Sequence, residues 1–156
     1  MQFTPAQLRS AVGLSLETFR HWKRVLPPFA SRKGRTACFS TGDLLAAAII
    51  RRLADTCGIR IGRLTEVSGR IVELCNSVPW PALENRVLLV DPTSYSARLV
   101  EDRRNIQTSG LAIICALTPI MSELRDTLLR LKSSTAQVAL PLPPTSVAQR
   151  HRRGGG

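Results

Sequence analysis

The sequence predicts an α+β protein, with a mostly helical first half carrying a small wing and a second half built from a small antiparallel sheet and one helix. Three observations predict it. Up to about residue 75, apolar side chains recur at spacings of three and four. Beyond Val78-Pro79-Trp80-Pro81 the runs become short and strand-like. Charge divides the chain the same way: residues 1–75 hold 12 Lys/Arg against 5 Asp/Glu, and residues 76–149 hold 7 against 6. The expected organisation is a binding unit at 1–75, a linker at 76–83, an α+β dimerisation or sensing module at 84–132, and a disordered basic tail at 133–156.

Thr4 suits an N-cap and Pro5 the first helical position, where its missing N–H was unpaired anyway. Leu8, Ala11 and Val12 form the apolar stripe of this helix, and Gly13 ends it. Ser15 caps a second helix over 16–26, in which Leu16, Phe19, Trp22 and Leu26 are expected to face inward. Pro27-Pro28 stops it. The segment 31–40, SRKGRTACFS, has Gly34 among basic residues and suits a short hairpin or wing. Ser40 or Thr41 caps a third helix reaching Cys57, with Asp43 near its positive end and Gly58 as its stop. Because Leu44, Leu45, Ala47, Ala48, Ile49, Ile50 and Leu53 cover several of its sides, this helix is expected at the centre of its bundle. A fourth helix from about Gly62 to Cys75 shows Leu64, Val67, Ile71 and Leu74 on one face.

In the second half, residues 84–92 and 94–102 read as two strands joined by an Asp91-Pro92-Thr93-Ser94 turn, and 110–117 as a third. Thr118 is the expected cap of a last helix, with Pro119 at its first position and Ile120, Leu124, Leu128 and Leu131 on its apolar face. The Pro/Ser/Thr-rich tail ends in Arg150, Arg152, Arg153 and three glycines.

Composition excludes several classes. A 44% hydrophobic content argues against a wholly disordered chain. The longest apolar runs, 44–50 and 111–117, fall far short of the roughly 20 residues a membrane span needs. The N-terminus lacks the basic and apolar regions of a signal peptide, so the chain is expected in the cytoplasm, associated with the nucleoid. Cys38, Cys57, Cys75 and Cys115 are widely spaced with no CxxC pair, so neither zinc nor structural disulfides are expected, and inert thiols are preferred over a redox or metal sensor using Cys57 and Cys75. No Gly-rich phosphate loop, GxSxG, HExxH or His–carboxylate pair occurs at motif spacing. Asp91, Glu101 and Asp102 read as turn and surface charges. No enzyme activity, cofactor or metal is expected.

Residues 2–75, about half of the chain, resemble the N-terminal domain of the MerR-type winged-helix regulators. The resemblance is carried by Phe19-Arg20-His21-Trp22 at the recognition-helix position, by Gly34-Arg35, Phe39-Ser40 and Asp43-Leu44 along the wing and the following helix start, and by Gly58-Ile59 before the final helix. It implies a winged helix–turn–helix that binds DNA as a dimer. His21 stands where the family has its first aromatic, and Arg35 where the wing has one. The family continues into a long dimerising coiled coil. Residues 76–132 show no sustained heptad, so metal or drug sensing does not carry over.

The basic half points to the same partner without the resemblance. From Phe3 to Phe39, seven Lys/Arg face one acid, Glu17. So compact a cationic unit calls for an acidic partner, first of all double-stranded DNA. Ser15, Glu17, Thr18 and His21 are the candidates for base edges. Arg20 and Arg24, four residues apart, suit phosphates, and Arg32, Lys33 and Arg35 would reach the backbone or minor groove as a wing. Lys23 lies to one side, and Arg51, Arg52, Arg60 and Arg63 could extend the footprint. The expected function is sequence-specific transcriptional regulation by a homodimer, with RNA polymerase as a further partner and no membrane. The rivals are an excisionase-like architectural DNA-binding factor and an adaptor that docks acidic proteins.

Overall fold

The computed structural model describes residues 1–32, 36, 38–101, 104, 106–108 and 110–137. The chain is α+β, with two antiparallel sheets of two and three strands. A short strand, β1 (Gln2–Phe3), leads into helix α1 (Pro5–Val12). Thr4 caps α1 as its sequence predicts. It does so through a reciprocal box with Gln7, in which the Thr4 hydroxyl accepts from the Gln7 N–H and the Gln7 amide oxygen from the Thr4 N–H. Gly13 ends α1 at φ 73°, in the left-handed region that a side chain enters only at a cost.

Helix α2 (Leu16–Val25) follows at once, capped by Ser15. It buries Phe19, Trp22 and, just beyond its end, Leu26. Leu16, expected inward, is 46% exposed, and Leu14 is buried before the cap instead. The reason is angular: Leu16 lies about 60° from Phe19 and about 120° from Trp22 around the helix, at the edge of the buried stripe. Pro27 and Pro28 do stop α2, but they open a single helical turn, α3 (Pro27–Ala30), since the first turn needs no N–H from proline.

The segment 31–40 closes on the N-terminus. Its described strand, β2 (Phe39–Ser40), pairs with β1 in the register Phe3↔Phe39. Residues 33–35 and 37, where the tip of the expected wing falls, lie outside the described residues. Helix α4 (Thr41–Asp55) is central, with every residue from Gly42 to Ile50 buried, and Leu53 as well. Its N-terminus is a buried polar hub. The Asp43 carboxylate accepts from the Ser40 N–H (2.9 Å) and the Asn76 amide (3.1 Å), and pairs with Arg32 at 3.0 Å. Gly42 lies against the next helix: a Cβ there would stand 2.6 Å from the Cys75 carbonyl oxygen. Gly42→Ala should therefore overpack this crossing and lower stability by about 1–3 kcal/mol, read as a lower urea midpoint at unchanged slope.

After Gly58 (φ 67°), the 3-10 turn Ile61–Leu64 leads into α5 (Thr65–Ser77); Leu64 of the turn and Val67, Ile71 and Leu74 of α5 are buried as expected. The segment expected as a linker is largely helical. Asn76 and Ser77 finish α5, and α6 (Trp80–Leu83) forms a turn with proline in its first positions.

The three predicted strands are present: β3 (Val87–Asp91), β4 (Ser96–Val100) and β5 (Ile113–Ala116), in the order β4-β3-β5. Leu88 lies opposite Leu99 and Cys115, and Val90 opposite Ala97 and Ile113. These six line the face that joins the helical core, with β4 against α5. Asp91 holds the β3–β4 turn by accepting from the Thr93 hydroxyl and N–H and from the Ser94 N–H. Those bonds, Thr93's first, keep its carboxyl well below the usual range. Glu101 pairs with Arg86 at 2.7 Å, and Asp102 lies outside the described residues.

The last helix, α7 (Leu117–Gln137), starts before Thr118, which is therefore not its cap. The Thr118 hydroxyl accepts instead from the Asn85 N–H (3.0 Å). Leu117, Ile120, Met121 and Leu124 are buried, while Leu128 and Leu131 are half-buried. The helix packs on α1 and α4, so one continuous core runs from Phe3 to Leu124. Residues 133–137, expected at the start of a disordered tail, belong to α7, and 138–156 lie outside the described residues. No helix among the described residues is long and apolar enough to cross a membrane.

Candidate nucleic-acid interface

The surface is built on α2, so its seating decides everything above it. The inner face is held by rings. Trp22 lies 5.8 Å from Phe29, Phe29 6.2 Å from Phe39, and Phe19 meets Phe39 edge-on at 6.1 Å. This chain ties α2 to α3 and β2, with ring geometries that favour quadrupole contact. At the N-terminal end, the Ser15 hydroxyl accepts from the Thr18 N–H (3.0 Å) and shares a hydrogen bond with the Thr18 hydroxyl (2.8 Å). At the C-terminal end, the Thr65 hydroxyl donates to the Val25 carbonyl (3.3 Å). Arg51 of α4 donates to the Val12 carbonyl and pairs with Asp55, fixing the turn between α1 and α2.

The outer face carries Leu16, Glu17, Arg20, His21 and Arg24, all exposed, within an arc of about 140° on the helix. Ser15 and Thr18 are exposed at its N-terminal end, and Lys23 is half-buried at its edge. Among the described residues, no ion pair or side-chain hydrogen bond involves Arg20, His21 or Arg24. Elsewhere some arginines are matched by acids, among them Arg52 with Glu123, Arg70 with Glu73, Arg86 with Glu101 and Arg125 with Glu84. Arg9, Arg60, Arg63, Arg98 and Arg130 form no ion pair among the described residues, nor do Arg20 and Arg24 of α2, where Glu17 sits at the positive helix end.

Four of the predicted site residues, Glu17, Arg20, His21 and Arg24, therefore share one face, and Ser15 and Thr18 lie beside it at the N-terminal end of α2. Arg32 does not stand free beside them. Its guanidinium donates to the Cys38 carbonyl, pairs with Asp43 and lies 5.8 Å from the Phe39 ring centre, holding the segment 31–40 to the body. Lys33 and Arg35 lie outside the described residues. Arg51 and Arg52 are likewise committed to internal contacts.

Two features escape a reading of α2 alone. The 3-10 turn Ile61–Leu64 packs against α2, so exposed Arg60 and Arg63 extend the basic surface, and Arg63 donates to the Tyr95 hydroxyl at 3.1 Å. Leu16 adds an apolar group beside Arg20. A helical wheel would have found Leu16, whereas the Arg60–Arg63 flank depends on a tertiary contact. Among the described residues there is no cluster of three or more His, Cys, Asp or Glu able to hold a metal. No protein-family model matches the chain, and neither curated proteins nor solved structures give a significant match.

Proposed function

We propose that the chain is a sequence-specific DNA-binding regulator of transcription, in which α1, α2 and the segment 31–40 act as a winged helix–turn–helix and α2 is the recognition helix. The observation that carries this reading is the exposed outer face of α2, on which Arg20, His21 and Arg24 have no ion pair or side-chain hydrogen bond among the described residues, flanked by exposed Arg60 and Arg63. A 10-residue helix is about 15 Å long and fits a major groove about 12 Å wide. In that pose Arg20, Arg24, Arg60 and Arg63 meet phosphates. Thr18 and His21 offer hydrogen-bonding groups to base edges, and Leu16 suits a thymine methyl.

One such helix supplies few contacts, so useful affinity calls for two copies on two half-sites. Leu111, Ile114 and Leu129, exposed apolar groups of the second half, are those a second copy would cover. The test is to sequence duplexes selected from a random pool by the purified protein, and to measure its mass in solution. The expected result is an enriched inverted repeat with half-sites about 34–36 Å apart, bound by a two-chain species. A pool that emerges unenriched would refute sequence-specific recognition.

A further inference from the structure

We propose that Cys57 and Cys115 form an oxidisable thiol pair, a modification site at which a peroxide joins them in one intramolecular disulfide between the end of α4 and β5. The two residues are 58 positions apart, yet both line one cleft of about 240 Å³, together with Arg52 and Leu53 from α4 and Pro119 and Ile120 from α7. Cys57 is exposed, in the turn that ends at Gly58, where the space around the backbone is open. Cys115 is half-buried on the face of β5 that also carries Ile113.

Cys57 also acts on Cys115 electrostatically. The Cys115 thiol is pushed up to about 11, mainly by burial and then by Cys57, with Arg52 pulling the other way. Cys75 is buried and pushed up to about 12 by that burial, by Asp43 and by Cys115, so it is closed to an oxidant. Cys38 lies at the other end of the fold, its N–H donating to the Phe3 carbonyl.

The chemistry balances with hydrogen peroxide as the oxidant. The exposed Cys57 thiolate attacks one peroxide oxygen, forming an S–O bond and breaking O–O; the hydroxide released takes up the thiol proton as water. The Cys115 thiolate then attacks the Cys57 sulfur, forming S–S and expelling a second hydroxide, which leaves as water with the Cys115 proton. Two thiols give up two electrons, and one peroxide becomes two waters. The product would tether the connection that leads from α4 to Arg60 and the Ile61–Leu64 turn.

The test uses the full reduced chain, treated with equimolar hydrogen peroxide, alkylated and digested with trypsin without reduction. The four cysteines fall in separate tryptic peptides: 36–51, 53–60, 71–86 and 105–125. The expected result is peptide 53–60 joined to 105–125. Two of the four alkylatable thiols are lost, the chain is two hydrogens lighter, and dithiothreitol reverses the change. Cys57→Ser should abolish the link, and Cys38→Ser should leave it. The proposal is overturned if Cys115 stays fully alkylatable while Cys57 is unchanged, over-oxidised or joined to another chain.

Discussion

Replacing Asp43 with alanine should lower folding stability by about 3 kcal/mol, as a urea titration would show. The side chain is 3% exposed and serves three donors at once: the Ser40 N–H, the Asn76 amide and the Arg32 guanidinium. Truncation leaves the Ser40 N–H without its acceptor, while the Asn76 amide keeps the Val72 carbonyl and Arg32 the Cys38 carbonyl. It removes one half of the Ser40–Asp43 capping box of α4, and it takes from Arg32 its carboxylate partner. Breaking a fully buried pair costs about 3–5 kcal/mol; Arg32 is 39% exposed, so water recovers part of its loss, and the lower end of that range applies. Asp43→Asn retains an acceptor for Ser40 and should cost clearly less. An Asp43→Ala protein within 0.5 kcal/mol of the parent would show that the hub is not what fastens α4 to its neighbours.

Arg20→Ala with Arg24→Ala should weaken binding to a selected duplex about a hundredfold, while stability stays within about 0.5 kcal/mol. A charge-assisted contact to phosphate contributes about 1.5 kcal/mol, or about tenfold in affinity, and the two guanidiniums reach separate phosphates in the proposed pose. Folding should not notice, because both side chains are exposed and pair with nothing among the described residues. The salt dependence carries a further mark: each lost phosphate contact lowers the slope of log K against log salt by about 0.9. A structural defect would weaken binding without that proportionate fall in slope.

Much of the helical half was legible because its signals are local. Thr4-Pro5, Gly13, Ser15 and Gly58 punctuate the chain wherever a cap or a left-handed residue is needed, and the all-round apolar 44–53 marks the central helix without any knowledge of its neighbours. The β3–β4 hairpin was legible for the same reason, its turn being written in Asp91-Pro92-Thr93-Ser94. What was missed depends on partners distant in the chain. The pairing of Gln2–Phe3 with Phe39–Ser40 involves strands too short to show a period. Thr118 reads as a cap until Asn85 takes its hydroxyl, and Arg32 reads as a free cation until Asp43 is found buried beside it.

The candidate surface divides along the same line. That α2 has an outer polar face follows from its sequence, and four of the nine residues assigned to DNA lie together on it, with Ser15 and Thr18 at its N-terminal end. Which cations remain available there could not be read from composition. That depends on which arginines of the body find acids, and those pairings, such as Arg52 with Glu123 and Arg125 with Glu84, cross 71 and 41 residues of chain. The flank of Arg60 and Arg63 exists because Ile61–Leu64 packs on α2. The cleft that Cys57 and Cys115 both line is of the same kind, since neither position carries a local signal.

The most direct test of the central claim is the dissociation constant for a selected duplex and for a random one of equal length. It should be measured by fluorescence anisotropy at 50 and 200 mM salt for the parent chain and the Arg20→Ala/Arg24→Ala pair. The predicted result is tighter binding of the selected duplex, weakening steeply with salt, and a double variant about a hundredfold weaker with a slope smaller by about 2. Equal affinity for both duplexes, or a double variant that binds as the parent does, would contradict recognition of DNA by α2.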